Sequence, residues 1–373
     1  MPITSPRRRM PVLAASVAGL LTAGISAQAM ASETRGFAVR WFHYANVSED
    51  ADCPKGINPS VDGTFRRILR ERGESPAEIE KKLENFPYSM YEANIGMRGI
   101  IDGKPANPYL NPTSTKDPNL HLGEGKKALG FNLDGKDGPK NFTDVETGEK
   151  GVDNMFYRAI GCSSQLRSAA GKLPTFPEIQ WDMMRDHTPA WLIEISGIDD
   201  YQNDDDVTVN IVRATMPIVR NANGTPQADM TFIPDPTPRT DGNKVKAKIT
   251  NGMVVTTTPF EFFMPGEPFA QAEYRFKEAK MRFTFLPNGE LKGIVGGYQN
   301  WRTIYTSWAL GGATYEINAG YDVPGLYYAL KKTADAYPDP KTGENTHISS
   351  AYLFDAIPAF IEHPEAKTAQ VGK

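Results

Sequence analysis

The sequence predicts a mainly β (α+β) fold, an antiparallel β-sandwich or barrel with a smaller mixed region of helices and loops at the N-terminus. Three observations predict it. Short apolar runs with alternating side chains follow one another after residue 174, turn-forming residues separate them, and few segments have the 3.6-residue period of a helix. We assign residues 32–170 to the mixed region and residues 171–373 to the β-rich domain, and the sequence leaves open whether they fold as one domain or two.

The first 31 residues have the three parts of a secretory signal peptide. Three arginines at positions 7–9 precede an apolar stretch over positions 10–27, and Ala29-Met30-Ala31 supplies the small residues that a signal peptidase recognises. A membrane anchor is the alternative, but proline, glycine, serine and threonine interrupt the apolar stretch, whereas a spanning helix needs about 20 apolar residues. We predict cleavage after Ala31 and export to the periplasm or the extracellular space.

Cleavage at this point leaves 342 of the 373 residues and changes the net charge from −4 to −7, because the removed segment contains three arginines and no acidic residue. An acidic chain argues against binding of nucleic acid, which requires basic surfaces. It also argues against a polybasic membrane patch. No later segment has the length and apolarity of a membrane span. We therefore expect a soluble protein.

The chain contains two cysteines, Cys53 and Cys162. In an oxidising compartment such a pair predicts one disulfide. No C-x-x-C or C-x-x-C-H motif is present, and no histidine is spaced for a zinc site, so neither haem nor zinc is indicated.

The N-terminal region begins with a predicted strand at residues 36–44, which is rich in aromatic and branched side chains. Apolar residues at helical spacing predict a first helix around residues 65–73. A second helix is predicted to begin at Ser75, because Pro76 tolerates the first helical position and Glu78 can complete a capping box. The segment 105–150 is mostly proline, glycine, asparagine, aspartate and lysine, which indicates a long irregular region.

The C-terminal region is predicted to consist mainly of strands. Asn288-Gly289 is the strongest signal for a two-residue hairpin loop, because both residue types tolerate positive φ. One helix is predicted between Asp322 and Ala336. The predicted strands cover residues 191–196, 207–212, 245–249, 254–263, 281–285 and 348–354.

Two acidic loops have the residue types that bind calcium, which takes six to eight oxygen ligands. One loop lies between the predicted strand that ends at residue 196 and the one that begins at residue 207, and it has five carboxylates within eight residues. The candidate ligands are Asp199, Asp200, Asp204, Asp205 and Asp206. The second candidate loop offers Asn132, Asp134, Asp137, Asp153 and Asn154. Its spacing is not that of an EF-hand, and solvated turns explain either composition equally well.

Catalytic motifs are weak. No nucleophile motif stands in a convincing context and no glycine-rich phosphate loop is present, so no nucleotide cofactor is indicated. Glu194 and Asp182 could form the carboxylate pair of a glycoside hydrolase, although the solvent face of a strand accounts for Glu194 as well. The segment 298–302 mixes aromatic, amide and guanidinium groups like a carbohydrate site, while core packing explains aromatic residues equally.

Three functions fit these observations. The first is an exported binding or structural protein, stabilised by calcium in its acidic loops. The second is an extracytoplasmic hydrolase that acts on a polysaccharide through a carboxylate pair. The third is a component of an envelope complex, so the expected partners are a carbohydrate or an envelope protein. The sequence leaves open whether the protein is an enzyme.

Overall fold

The computed structural model describes residues 32–84, 96, 98–168, 172–237, 239–267 and 271–364. The predicted signal peptide lies outside these residues. In chain order the strands are β1 (Glu33–Tyr44), β2 (Gly99–Ile101), β3 (Lys104–Ala106), β4 (Lys127–Ala128), β5 (Phe142–Asp144), β6 (Lys150–Val152), β7 (Trp191–Ile198), β8 (Asn203–Arg213), β9 (Met230–Phe232), β10 (Lys244–Thr250), β11 (Met253–Thr256), β12 (Phe260–Glu267), β13 (Gln271–Phe285), β14 (Leu291–Asn300), β15 (Ala336–Pro338) and β16 (Asn345–Ile361). The helices are α1 (Val61–Glu71), α2 (Pro76–Glu84), α3 (Met155–Ile160), α4 (Thr175–His187), α5 (Trp301–Ala309), α6 (Gly312–Ala319) and α7 (Val323–Thr333).

Eight antiparallel strands close into a barrel, in the order β1-β7-β8-β10-β11-β13-β14-β16. The closure is the pairing of β16 with β1, in which Phe42 lies opposite Phe354 and Tyr44 opposite Tyr352. This architecture confirms the mainly β prediction. Because β1 precedes residue 170 and pairs with β7 and β16, the barrel contains residues from both sides of that position.

Aromatic side chains fill the space that the barrel encloses. The ring of Phe42 lies 4.8 Å from that of Trp191 and 5.0 Å from those of Tyr274 and Tyr352. All four residues are buried in the largest apolar cluster. Eight-stranded barrels are narrow enough for side chains to fill them. The interior is therefore a packed core, and a ligand site has to be sought outside it.

The outer wall of the barrel is also partly covered. Side chains that alternate with the interior residues, among them Ile294, Tyr298 and Ala351, pack against Leu129 and Phe131 of the long segment after β3. The segment predicted to be irregular thus contains its own small apolar cluster on β14 and β16. Within it, β4, β5 and β6 form a three-stranded sheet.

Cys53 and Cys162 form the predicted disulfide, with their Cα atoms 5.7 Å apart. The bond joins the segment after β1 to the residues that follow α3, and both cysteines are buried. The prediction of one disulfide is confirmed.

The helices α1, α2 and α7 confirm the three predicted helices. In the capping box, the Ser75 amide donates to Glu78 Oε2 at 2.8 Å and the Glu78 amide donates to Ser75 Oγ at 3.4 Å. The other helices after residue 174, α4, α5 and α6, were not predicted. Helix α5 was missed because its aromatic residues favour strands. It forms because the Asn300 side chain caps the amides of Arg302 and Thr303.

The hairpin between β13 and β14 is confirmed, but its loop is longer than the predicted two residues. The amide of Leu286 donates to the carbonyl of Glu290 at 2.8 Å, so that three residues form the loop. Gly289 has φ +83°, whereas Asn288 keeps a negative φ. A type I turn followed by one left-handed glycine is the common three-residue hairpin. Among the described residues no helix has the length and apolarity to cross a membrane.

Candidate functional site

A polar cleft of about 260 Å³ lies beside the barrel, between the segment around β5 and β6, strand β14 and the end of α7. We call it the acidic cleft, because three aspartates line it, two from the segment around β5 and β6 and one from the end of α7. Its lining residues are Asp134, Lys140, Asn141, Val152, Asp153, Met155, Tyr298, Lys332, Thr333, Ala334, Asp335 and Asn345.

Asp335 follows α7 directly and enters the cleft from the side of β16. The Ser349 amide donates to Asp335 Oδ1 at 2.8 Å and the Ser349 hydroxyl donates to Oδ2 at 2.7 Å. Ser349 Oγ in turn accepts the amide hydrogen of Met155 at 2.9 Å, so that α3 and β16 both fix the carboxylate. Solvent reaches Asp335, yet protein atoms crowd its carboxylate. This partial desolvation, reinforced by the charge of Asp153, raises the pKa of Asp335 to about 6.

Asp153 follows β6 and is buried. Its Oδ2 accepts the amide hydrogens of Leu133, at 2.8 Å, and of Asp134, at 3.4 Å, and its Oδ1 accepts from the Asn141 side chain. Burial raises the pKa of Asp153 above its usual value, and the charge of Asp134 adds to the increase, while the hydrogen bond from the Leu133 amide opposes it. The carboxylate is thus held in position by neutral donors only.

Tyr298 on β14 forms the floor of the cleft. Its side chain packs in the cluster of Phe131 and Leu133, and only 6 % of the residue is exposed. Its hydroxyl makes no hydrogen bond to any other described residue. Burial raises the pKa of Tyr298 above its usual value, and the charges of Asp153 and Asp335 raise it further. Tyr298 therefore holds its proton and has a free donor.

The two carboxylates of Asp153 and Asp335 have no ion-pair partner within the part of the chain that the structure describes. Lys332, at the cleft rim, pairs with Asp117 instead. The cleft can therefore supply carboxylate acceptors and a phenolic donor to a polar ligand. Perturbed carboxyl groups in a cleft are a physical marker of functional sites.

The structure separates the calcium ligands predicted in the second candidate loop. Asp134 and Asp153 both line the acidic cleft. Asn154 is directed elsewhere, because its Oδ1 caps the Tyr157 amide and its Nδ2 donates to the Leu129 carbonyl. Asn132 donates to the carbonyl of Lys150, and Asp137 is exposed. In the described ranges no group of three or more acidic, histidine or cysteine side chains is arranged to hold a metal ion.

The other acidic loop connects β7 to β8, and three of its candidate ligands, Asp204, Asp205 and Asp206, lie at the start of β8. Asp204 accepts three backbone amide hydrogens, from Asp199 at 2.7 Å, Asp206 at 3.0 Å and Asp200 at 3.5 Å. These bonds lower the pKa of Asp204 below its usual value. Asp205 is exposed, and Asp206 forms an ion pair with Lys246. Calcium at this loop stays a prediction, and turn chemistry already accounts for the central aspartate.

The weak catalytic candidates each have a basic partner of their own. Glu194 Oε1 on β7 lies 2.8 Å from His363 Nε2. Asp182 on α4 pairs with Arg185, three residues further along the same helix. The carbohydrate-like segment 298–302 is also divided, because Trp301 is buried in the barrel core while Tyr298 lines the cleft.

Sequence reasoning found Asp134 and Asp153 but missed Asp335 and Ser349. No local signal marks them, because Asp335 reads as one of several acidic residues after a helix and Ser349 as part of a strand. Only the pairing of β14 with β16 brings Ser349 opposite Tyr298.

The fold and the site define a closed antiparallel barrel protein with an acidic cleft on its outer wall. Comparisons of the chain with protein-family models, with curated proteins and with solved structures find no match. The function is therefore argued from the cleft itself.

Proposed function

We propose that the protein is an exported binding protein that holds a small polar organic ligand in the acidic cleft. The observation that supports this most is Tyr298, a largely buried side chain that lines the cleft while its hydroxyl makes no hydrogen bond to any other described residue. A phenolic hydroxyl both donates and accepts hydrogen bonds. A ligand in the cleft can therefore accept the hydrogen of this hydroxyl.

The chemistry of the cleft indicates the kind of ligand. Asp153 and Asp335 accept hydrogen bonds, Tyr298 donates one, and the Asn345 amide, which uses one donor on the Ala334 carbonyl, keeps a donor and its oxygen. A hydroxyl-bearing molecule of sugar size matches this mixture, since each hydroxyl can accept from Tyr298 and donate to a carboxylate. The volume of about 260 Å³ is close to the lower end of small-molecule pockets, which begin at about 300 Å³.

The test compares Tyr298→Phe with a matched control, Tyr201→Phe, whose hydroxyl donates to Glu33 Oε2 at 2.7 Å outside the cleft. Glucose, N-acetylglucosamine and 6-amino-6-deoxyglucose serve as probes in calorimetric titration and thermal unfolding of the mature protein. We expect at least one probe to bind saturably, Tyr298→Phe to weaken it at least about tenfold, and Tyr201→Phe to bind normally, because a lost hydrogen bond is worth about 1 kcal/mol or more. Equal binding by Tyr298→Phe, or no binding of any probe, would refute the proposal.

A hydrolase is the second candidate, and Asp335 is the observation that favours it. A carboxyl group with a pKa of about 6 keeps part of its proton near neutral pH, as a general acid must. Asp335 would then protonate the leaving group and Asp153 would act as the base or nucleophile. A panel of nitrophenyl glycosides tests this: activity that disappears in Asp335→Asn and falls above about pH 6 supports a hydrolase, whereas binding without turnover supports the binding protein.

A further inference from the structure

We infer that the ligand of the acidic cleft carries a positive charge, namely a protonated primary amine on a hydroxyl-bearing molecule. This inference rests on the proposed function and adds the chemical class of the ligand.

The charged groups that line the cleft come from two parts of the fold. The segment around β5 and β6 contributes Asp134, Lys140 and Asp153, and α7 with the residue pair after it contributes Lys332 and Asp335. Beside the cleft, β13 adds the negative charge of Glu278, which acts on Tyr298, and the positive charge of Lys280, which donates to the carbonyl of Asn132 at 2.5 Å. Tyr298 on β14 and Asn345 on β16 are uncharged. Three carboxylates and two lysines thus line the cleft itself.

The lysines do not neutralise the inner pair of carboxylates. Lys332 is engaged by Asp117, and Asp134 has its own partner in Lys136, at 3.3 Å. Lys140 forms no ion pair with Asp153 or Asp335 in the described structure. Asp153 and Asp335 line the same cleft, and the negative charge of Asp153 disfavours ionisation of Asp335. A cation between them removes this repulsion, which a neutral ligand cannot do.

An ammonium group also fits the hydrogen-bonding pattern. It has three N–H donors and no acceptor. Asp153, Asp335 and the oxygen of Tyr298 offer acceptors on different sides of the cleft, while the Tyr298 proton remains available for a ligand hydroxyl. A metal ion alone fits less well, because calcium needs six to eight oxygens at 2.3–2.6 Å and the described residues contain no group arranged to hold one.

Binding of a cationic ligand should be coupled to the loss of the proton from Asp335. A nearby cation stabilises the ionised carboxylate and lowers its pKa, so that binding releases a proton when the pH is near or below about 6. The affinity for an amine should therefore increase as the pH rises from about 5 to about 7. The affinity for a neutral sugar should not increase in this way.

The test titrates the mature protein with two matched pairs of probes, 6-amino-6-deoxyglucose with glucose and putrescine with butanediol, at about pH 5 and about pH 7. We expect the amine of at least one pair to bind at least about tenfold more tightly than its neutral partner at the higher pH and to lose that advantage at the lower pH. Asp335→Asn and Asp153→Asn should abolish the difference, while the exposed control Asp137→Asn should retain it.

The outcomes separate the two proposals. A neutral probe that binds as tightly as its amine, with Tyr298→Phe weakening it, would overturn the charge inference and leave the proposed function standing. An amine preference that survives both Asp335→Asn and Asp153→Asn would overturn the assignment to this cleft. If no probe of either pair binds, the inference and the proposed function both fail.

Discussion

The guanidinium of Arg98 donates to both carboxylate oxygens of Glu316, at 2.9 and 2.8 Å, and both side chains are almost completely buried. The same guanidinium lies 3.1 Å from Asp322 Oδ1, and the Tyr109 hydroxyl donates to Glu316 Oε2 at 2.6 Å. Glu316 is in α6 and Asp322 caps α7. This cluster therefore connects the chain before β2 to the two helices that precede the acidic cleft.

Arg98→Met should lower the free energy of unfolding by about 3–5 kcal/mol, because it leaves the Glu316 carboxylate buried without its cation, whereas Asp322 keeps Arg67 at 2.6 Å. Urea unfolding followed by tryptophan fluorescence measures the change. Arg66→Met is the control, since Arg66 forms ion pairs with Asp62 and Glu80 at the surface of α1, where such pairs contribute little. A similar loss in both variants would contradict the importance of burial.

Removal of the disulfide should destabilise the protein through its unfolded state. The two cysteines are 109 residues apart, and chain-entropy models give about 4–5 kcal/mol for a loop of this length. Cys53→Ala, Cys162→Ala and the double variant should lose the same amount, because either change breaks the bond. Denaturant unfolding without reductant measures this. A double variant much less stable than either single variant would show that packing of the cysteine side chains matters more than the bond.

The elements that the sequence predicted correctly are those with local causes. The capping box of Ser75 and Glu78 and the left-handed Gly289 depend on neighbours in the chain, so their residue types are sufficient evidence. The pairing of two cysteines could be predicted from their number together with the predicted export. Closure of the barrel had no such signal, because Gly36 pairs with Ala359 across almost the whole chain.

Only the part of the candidate site that comes from one local segment could be predicted from the sequence. Asp134 and Asp153 belong to one acidic segment, and composition alone singled them out. Asp335 became part of the site through the hydrogen bonds of Ser349, which depend on the register of β16. The sequence singled out Tyr298 as an aromatic residue close to Trp301. That Trp301 enters the barrel core while Tyr298 lines the cleft follows from the turn into α5.

Asp204→Ala should lower the free energy of unfolding by about 1 kcal/mol, because three amide hydrogen bonds of the loop between β7 and β8 lose their acceptor. Asp205→Ala, at the next position and exposed, should have little effect. Thermal unfolding of both variants in excess calcium and then in EDTA measures the roles separately. If Asp204 acts only as a turn residue, its loss is equal in the two conditions; a loss confined to calcium would instead support a bound ion.

Asp335→Asn should change how stability depends on pH. The pKa of Asp335 is raised from 3.8 to about 6 in the folded protein, so the folded state holds the proton more tightly than the unfolded chain. The stabilisation is complete below about pH 4 and is lost as the pH rises through about 6. The full shift would correspond to about 3 kcal/mol, but solvent reaches Asp335 and screens its charge, so we expect about 1 kcal/mol.

The measurement is the difference in the free energy of unfolding between the wild-type protein and Asp335→Asn, from urea unfolding at several pH values. Asparagine has one side-chain oxygen and so cannot replace both Asp335 oxygens, one of which accepts from the Ser349 amide and the other from the Ser349 hydroxyl; this lowers stability equally at every pH. The informative quantity is therefore the slope. Between about pH 4 and pH 6, the free energy of unfolding of the variant should increase by about 1 kcal/mol relative to that of the wild type. Above this range the difference between the two should stay constant. If the stability curves of the variant and the wild type are parallel throughout this window, Asp335 titrates with an ordinary pKa. Asp335 would then lack, near neutral pH, the proton that both a hydrolase and proton-coupled binding of an amine require.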